Sequence, residues 1–233
     1  MNTTYSEGLH QQVASLRTRL DAGMPRLGWK VGINVPEVQR KLGLSRSLLG
    51  WLDGDRVFVS GSEVLLPSGG RVHVEPELCL RIGSSVGSTA NRDTASGAVA
   101  AIAPALELVD YARAATSLAD VIAGSMFHYA TVLGSWQSPR ADLDIASAVR
   151  LRAGSTDSEV ARSDLVPLHL GDLVLFVAEL LEEMGQQLLP GDHILTGSFT
   201  AKALPLLPGE EAQASLGDFG VVSCLGATAA VAR

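Results

Sequence analysis

The stretch VHVEPELCLRI, residues 72–82, decides how we expect this chain to fold. Apolar and polar side chains alternate along it, which is the two-residue period of a β-strand. With that period, Glu75 and Glu77 lie side by side on one face of the strand, and His73 shares this face. Pro76 has no N–H to donate to a neighbouring strand, so the pattern predicts a strand at a sheet edge or at a bulge.

A third glutamate interrupts a second apolar run. The stretch PALELVD, residues 104–110, is typical of another strand, and Glu107 is the only charged residue between positions 94 and 109. A buried carboxylate must be neutralised, paired with a cation or bound to a metal. Converging carboxylates are ligands that hard divalent ions such as Mg²⁺ and Mn²⁺ prefer. The sequence therefore predicts a metal site formed by Glu75, Glu77 and Glu107.

A lysine lies in the middle of a third apolar run, GWKVG at residues 28–32. Lys30 is either a strand-edge lysine whose stem is buried while its ammonium group reaches water, or a cation that faces the acidic site. In the second interpretation it binds a substrate carboxylate or transfers a proton. Gly28 and Gly32 on either side are expected to let a ligand approach the backbone closely.

Hydroxyl groups and glycines follow one another in GDHILTGSFT, residues 191–200. Thr196, Gly197 and Ser198 suit the binding of a small anion through hydroxyl and backbone N–H groups, although an ordinary turn has the same composition. His73 is a candidate acid or base beside the three glutamates. His128 is a weaker candidate, since a lone histidine is more often structural.

Composition limits the class of protein. The chain has 233 residues, of which 46% are hydrophobic and 18% charged, enough for one large folded domain. The formal net charge of −7 argues against nucleic acid and against an anionic membrane as partners. The first residues show no signal-peptide pattern, and the uncharged stretch 121–139 is too polar for a spanning helix. We therefore expect a soluble cytoplasmic protein.

Short apolar runs separated by glycine outnumber the helical patterns. Helices are predicted over residues 5–22 and 169–184, and a strand over 126–133. This favours an α+β, mostly β fold, with a curled mixed β-sheet and flanking helices, over a doubly wound parallel sheet. We expect a short N-terminal helical segment over residues 1–26 and a single domain over 27–233.

Several segments, in this order and spacing, resemble the 2-keto-4-pentenoate hydratase / 4-oxalocrotonate decarboxylase family of the fumarylacetoacetate hydrolase superfamily. They are GWKVG (28–32), VQRKLGL (38–44), VEPEL (74–78), PALELVD (104–110), VLG (132–134) and ILTGS (194–198). The resemblance implies a curled β-structure with the site in its mouth, and Mg²⁺ or Mn²⁺ held by Glu75, Glu77 and Glu107. Lys30 falls on the lysine of the family, and the family also implies a homo-oligomer.

The resemblance implies a metal-dependent lyase for small 2-keto or 2-hydroxy-dienoate acids, with Lys30, Glu77 and His73 as candidate catalytic groups. The carboxylate and 2-oxygen of the substrate would chelate the ion, which serves hydration and decarboxylation equally. Hydration is our leading expectation and 4-oxalocrotonate decarboxylation the first alternative.

Two further alternatives remain. One is an acylpyruvate C–C hydrolase that uses a base such as His73. The other is a catalytically altered family member with a binding or biosynthetic role. IAGSMFH at residues 122–128 suggests the latter, because the family often has an Asp-Asn-Ala-Ser-like stretch there.

Overall fold

The structure, a computed structural model, describes residues 3–228, so the last part of the predicted domain 27–233 lies outside the described residues. Five α-helices occur in the described part of the chain. They are α1 (Thr3–Asp21), α2 (Pro36–Leu42), α3 (Arg92–Gly97), α4 (Leu118–Ala123) and α5 (Leu170–Glu183). The helices predicted over 5–22 and 169–184 are thus confirmed as α1 and α5.

Thirteen β-strands are described, and they account for most of the regular structure. They are β1 (Arg26–Gly32), β2 (Leu48–Asp53), β3 (Val57–Val59), β4 (Ser62–Leu65), β5 (Val72–Ile82), β6 (Val99–Asp110), β7 (His128–Leu133), β8 (Val149–Ala153), β9 (Thr156–Asp157), β10 (His193–Leu195), β11 (Leu204–Pro205), β12 (Glu211–Leu216) and β13 (Val221–Ala227). The predicted mostly β, α+β fold with a curled mixed sheet is confirmed.

The strands form two sheets. The larger has the order β2-β1-β10-β5-β6-β7-β3, with β11 also paired to β5, and it mixes parallel and antiparallel neighbours. The smaller has the order β4-β13-β12-β8-β9. One large apolar cluster fills the space between the sheets and extends to α5.

The alternation along β5 and β6 separates the core from the site. Val74 and Leu78 of β5 and Leu106 of β6 belong to the cluster between the sheets. Glu75, Glu77 and Glu107 alternate with them and therefore lie on the opposite face of the larger sheet. Core packing and the chemistry of the site thus depend on opposite faces of the same two strands.

The expectation that Pro76 lies at a sheet edge or bulge is wrong, because β5 is an interior strand. On one side it pairs without interruption with β6 around Pro76. On the other side, β10 pairs with residues 79–81 and β11 with residues 73–74. Pro76 lies opposite the gap between these two short strands, so its missing N–H leaves no ladder bond unmade.

The strand predicted over 126–133 begins only at His128. Ser125, Met126 and Phe127 have φ angles of 51°, 50° and 66°, a left-handed conformation that strands do not adopt. In the described part of the chain, no helix is long and apolar enough to cross a membrane. Cys79 and Cys224 are both buried free thiols.

Candidate metal centre and adjoining cavity

Strands β5 and β6 bring the three predicted metal ligands together. Glu75 is directly opposite Glu107 in the antiparallel register, and Glu77 is two residues along β5. One carboxylate oxygen from each lies within 4.8 Å of the others. Glu77 and Glu107 are completely buried, while Glu75 is partly exposed. Like charges directly across a strand pair destabilise a sheet, so this arrangement calls for a cation.

The electrostatics of the cluster agree with that requirement. Burial, reinforced by the negative charge of Glu107, raises the pKa of Glu75 to about 7. Burial also raises the pKa of Glu77 well above its ordinary value, and the charges of Glu107 and Glu75 add to this effect. Two of the three carboxyl groups therefore resist ionisation unless a positive charge joins them.

Lys30 supplies part of that positive charge. Its side chain is 2% exposed, and its Nζ donates to Oε1 of Glu107 and, over 3.4 Å, to the carbonyl oxygen of Met126. Three carboxylates and one ammonium group give the site a formal charge of −2. A divalent cation would neutralise that charge, which favours Mg²⁺ or Mn²⁺ over a monovalent ion.

His128 is a site residue that the sequence did not place. Its Nδ1 lies 2.9 Å from Oε1 of Glu107, and its ring is buried. Burial lowers the pKa of His128, and this outweighs the opposite effect of its hydrogen bond with Glu107. The ring is therefore neutral at neutral pH, with an Nδ1–H that donates to the carboxylate.

Glu107 is the carboxylate that stays ionised. Burial raises its pKa, but the charge of Lys30 and the hydrogen bond from His128 outweigh burial and hold the pKa of Glu107 below its ordinary value. Two polar groups thus fix one of its oxygens. The other, Oε2, is left without a hydrogen-bond partner among the described residues.

The free carboxylate oxygens match a metal site. Oε1 of Glu77 and Oε2 of Glu107 are buried and have no hydrogen-bond partner in the described part of the chain. Oε2 of Glu77 accepts a hydrogen bond of 2.9 Å from the backbone N–H of Gly197. Buried acceptors are normally satisfied, so the unpaired oxygens are positions where a cation fits. The donor set of this site, made only of carboxylate oxygens, suits a hard divalent ion.

The segment after β10 touches the site mainly through structural bonds. Thr196 is completely buried, and its Oγ1 accepts from the N–H of Leu78 over 3.1 Å. Gly197 has a φ of 89° and donates to Glu77. Of the three predicted anion-binding residues, Ser198 lines a cavity that adjoins the site.

A cavity of about 310 Å³ reaches the site at Lys30 and Glu75. Its lining is mostly apolar and comes from β1, α2, α4 and the left-handed turn at 125–127. The apolar side chains of the lining include Ile33, Val35, Val38, Leu42, Val121 and Phe127. A metal-bound ligand would therefore extend from a polar end into an apolar chamber.

The glycines around Lys30 make room for protein atoms. A methyl group on Gly28 would lie 2.1 Å from the backbone oxygen of His193, and one on Gly32 would lie 2.8 Å from Sδ of Met126. We expected the space beside these glycines to admit a ligand. At Gly28 this expectation is wrong, because the backbone of β10 occupies the space beside β1. At Gly32 the side chain of Met126 uses it.

His73 shares the strand face of Glu75 but lies farther from the carboxylate cluster. Its Nδ1 is 3.0 Å from the carbonyl oxygen of Arg71, and its ring packs on Tyr111 at 4.9 Å between centroids. It lines a separate cavity, between residues 66–73 and 205–208. Lys30 and His128 both contact Glu107 directly. Among the described residues, these two side chains therefore adjoin the carboxylates more closely than His73 does.

A model of the fumarylacetoacetate (FAA) hydrolase C-terminal family matches residues 29–225. The chain belongs to this family. A 4-oxalocrotonate decarboxylase from a Pseudomonas species is 28% identical to this family member over 222 residues, covering 94% of this chain and 86% of the relative. A 2-hydroxyhexa-2,4-dienoate hydratase from Comamonas testosteroni is 26% identical over 213 residues, covering 88% and 78%.

Among solved structures, this chain is similar to 4-oxalocrotonate decarboxylase from Pseudomonas putida G7 complexed with magnesium and adipate. The TM-score is 0.80 at 19% sequence identity, and the match covers 92% of this chain and 83% of the other. The fold and the expected family resemblance are thereby confirmed. Both curated relatives are named as enzymes, and the related solved structure holds magnesium.

Proposed function

We propose that this protein is a divalent-metal-dependent lyase for small 2-keto or 2-hydroxy-dienoate acids, and that it adds water to them. One observation carries the proposal. Two buried carboxylate oxygens, from Glu77 and Glu107, have no partner among the described residues and lie beside Lys30, where a cavity reaches the site. The hydratase and decarboxylase relatives support the substrate class.

In this proposal Glu75, Glu77 and Glu107 hold Mg²⁺ or Mn²⁺. When bound, the ion supplies Lewis-acid polarisation of the carboxylate and the 2-oxygen of the substrate. His128 keeps Glu107 oriented by donating to its Oε1. The apolar cavity excludes bulk water from the hydrocarbon part of the substrate.

Lys30 is the proposed proton-handling group. An ammonium group has three N–H donors, and two of those of Lys30 go to Glu107 and Met126. The third has no partner among the described residues, so it is available to donate to the substrate carboxylate, or to exchange a proton with the carbon skeleton as the dienol converts to the keto form. Water then adds across the conjugated C=C bond: the π bond and one O–H bond of water break, and one C–O and one C–H bond form.

Decarboxylation of 4-oxalocrotonate is the second candidate, because the relative with 28% identity has that activity by name. The metal ligands and Lys30 would serve it as well: the C–C bond to the distal carboxylate breaks, its electron pair passes into the conjugated skeleton, CO₂ leaves and the skeleton takes up a proton. Hydrolysis of an acylpyruvate is less well supported, since His73 lines a different cavity.

Turnover by the purified protein tests these alternatives. It is incubated with 2-hydroxypenta-2,4-dienoate and with 4-oxalocrotonate, in Mg²⁺ and in chelator, while dienol absorbance and CO₂ release are followed. We expect loss of the dienol in Mg²⁺ only. Faster CO₂ release from 4-oxalocrotonate would favour the decarboxylase, and a folded protein that turns over neither compound would favour a binding role.

Two variants make the metal requirement specific. Glu107→Gln keeps the shape of the side chain but removes its charge, and it should abolish Mg²⁺-dependent turnover. Glu63→Gln is the matched control, since Glu63 is exposed on β4. Undiminished activity in both chelator and Glu107→Gln would overturn the metal mechanism.

A further inference from the structure

We propose that the cavity selects keto acids whose distal end is an uncharged alkyl group and discriminates against those with a second carboxylate. This inference rests on the proposed function, since it places the keto-acid end of the ligand at Glu75 and Lys30. The distal end then lies among the apolar side chains of the cavity, which include Ile33, Val38 and Phe127.

The charges of the cavity leave nothing to pair with a second carboxylate. Among the described lining residues, Lys30 and Glu75 are the charged ones. Lys30 already donates to Glu107, and a divalent ion completes the neutralisation of the three glutamates. A distal carboxylate would therefore lose its water without gaining a cation.

The neutral hydrogen-bond donors of the cavity are largely committed to the protein. Both N–H groups of the Asn34 amide are used, on the carbonyl oxygens of Leu165 at 2.9 Å and Ser198 at 2.8 Å. The hydroxyl of Thr200 donates to the carbonyl oxygen of Lys202 over 3.1 Å.

The two remaining hydroxyl groups of the lining, on Ser198 and Tyr111, do not replace the missing cation. Ser198 Oγ lies 3.2 Å from Thr200 Oγ1, with which it shares a hydrogen bond. That leaves the Tyr111 hydroxyl as the remaining neutral side-chain donor in the described lining. Neutral hydrogen bonds alone do not offset the burial of a full charge that gains no cation.

The size of the cavity agrees with a small ligand. At about 310 Å³ it is near the lower end of the range for small-molecule sites, roughly 300–1,000 Å³. Each methylene group that a ligand buries there should strengthen binding about fourfold. Alkyl extension of the substrate is therefore expected to help until the chamber is full.

Helix α2 offers a place to alter this preference without disturbing the core. Val38 and Leu42 line the cavity but are each 38% exposed, and no residue of α2 is fully buried. A cation placed here would reach the distal end of a ligand from the rim. Such a substitution is also compatible with folding, because surface changes have small effects on stability.

The test uses a matched pair of stable keto acids, 2-oxohexanoate and 2-oxohexanedioate, which differ only in a terminal methyl group or carboxylate. Their dissociation constants are measured by calorimetry on the full chain in Mg²⁺ and in chelator. In Mg²⁺ we expect 2-oxohexanoate to bind at least about tenfold more tightly. Equal or tighter binding of the diacid would overturn this inference and leave the proposed function intact.

A different result would contradict the proposed function instead. If neither keto acid binds in Mg²⁺, or if chelator has no effect on binding, the metal-chelation site is wrong and the inference that rests on it falls too.

A rim variant supplies the second measurement. Val38→Arg should strengthen binding of 2-oxohexanedioate about tenfold relative to 2-oxohexanoate. Val38→Gln, similar in polarity but uncharged, should keep the preference for the monoacid. Leu42→Arg, one turn further along α2, repeats the test at an independent position. No change of preference in either arginine variant would contradict the placement of the distal end in this cavity.

Discussion

Glu107 is the residue on which the candidate metal centre depends most. One of its oxygens receives hydrogen bonds from Lys30 and His128, and the other has no partner among the described residues. This arrangement orients the carboxylate before any ligand arrives. Outer partners of this kind raise metal affinity by fixing a ligand in its binding geometry.

The first prediction concerns His128. His128→Ala should weaken Mn²⁺ binding about 10- to 100-fold, because Glu107 loses one of the two groups that orient it. His128→Asn should restore much of the affinity, since its amide can donate in place of Nδ1–H. Binding of Mn²⁺ is measured by electron paramagnetic resonance on protein whose folding is verified by circular dichroism.

A control separates this effect from the loss of any histidine. His10→Ala, at an exposed position on α1, should leave Mn²⁺ affinity unchanged. If His128→Ala also binds Mn²⁺ with unchanged affinity, the orienting role is wrong.

The second prediction concerns pH. Without metal, the pKa of Glu75 rises from 4.5 to about 7 on folding. The folded state then keeps a proton that the unfolded chain loses as the pH rises from 4.5 to 7. The contribution of Glu75 to stability is complete below pH 4.5 and is lost through this window. Because Glu75 is partly exposed, the loss should be on the order of 1–3 kcal/mol.

Urea unfolding in chelator at pH 5 and pH 8 measures this loss. Mg²⁺ should stabilise the protein more at pH 8 than at pH 5, since the metal competes with the proton for the same carboxylate. Glu75→Gln should reduce the pH dependence by the share of Glu75, while Glu77, whose pKa is also raised, keeps its own contribution. Metal-free stability that rises between pH 5 and pH 8 by the same amount in both proteins would count against the assignment.

At this scale the sequence predicted the three glutamates because charge inside apolar, alternating strands is costly. It did not predict His128 with the same clarity. Glu107 on β6 pairs with Thr131 on β7, whereas Val109, two residues further along β6, pairs with His128. The pairing on β7 thus skips Tyr129, which is the extra residue of a bulge. A strict two-residue period would put Tyr129 on the site face, and a bulge cannot be read from periodicity alone.

At the scale of elements, the left-handed turn at residues 125–127 is the unusual feature next to the site. Such φ angles cost about 1–2 kcal/mol per residue for side chains other than glycine. Specific contacts hold the turn: Ser125 Oγ accepts from the N–H of Trp51 at 3.0 Å, and Met126 packs over Gly32 and Gly50. Strain of this kind often accompanies functional sites.

The third prediction tests that packing. Gly50→Ala would bring a methyl group to 2.9 Å from Cε of Met126 and 3.3 Å from the Cα of Ser125. It should therefore destabilise the protein by about 1–3 kcal/mol. In a double-mutant cycle with Met126→Ala, the two changes should show a coupling of at least about 0.5 kcal/mol. Urea unfolding of the four proteins gives the coupling, and strict additivity would show that the two residues do not share this contact.

The turn and Pro76 show where prediction of elements failed. The apolar pattern over 126–133 is strand-like, but periodicity does not report backbone handedness. Pro76 suggested an edge strand because a proline inside a continuous sheet loses a hydrogen bond. The partner on that side is divided into β10 and β11, and only long-range pairing determines that division.

At the scale of the whole molecule, each side of the larger sheet has a separate task. One face packs on the smaller sheet, and the other carries the carboxylates and the cavity. Composition and glycine spacing sufficed to predict the mostly β class. The two-sheet pairing was not predictable, since strands distant in sequence, such as β1 and β10, are neighbours.

The homo-oligomer stays a prediction, for which light scattering gives the mass in solution.

The last prediction concerns how the N-terminal helical segment, predicted over residues 1–26, joins the domain over 27–233. Gln12 of α1 is completely buried and donates to the carbonyl oxygen of Ile122 at the end of α4 over 2.6 Å. A methyl group on Gly8 would lie only 2.9 Å from Cβ of Ile122, so the two helices are in close contact.

Helix α4 leads directly into the left-handed turn that packs on Lys30, so α1 should unfold together with the site rather than before it. Gln12→Ala is expected to lower the free energy of unfolding by about 1–3 kcal/mol, because the carbonyl of Ile122 loses its buried partner. Gln11→Ala is the matched control: Gln11 is exposed and donates to Glu7 on the same helix, so the change should alter stability by less than about 0.5 kcal/mol. Unfolding of both variants is followed by far-UV circular dichroism and by tryptophan fluorescence. Coincident transitions support one cooperative unit, whereas an early, separate loss of helix would show that the N-terminal segment is an independent appendage.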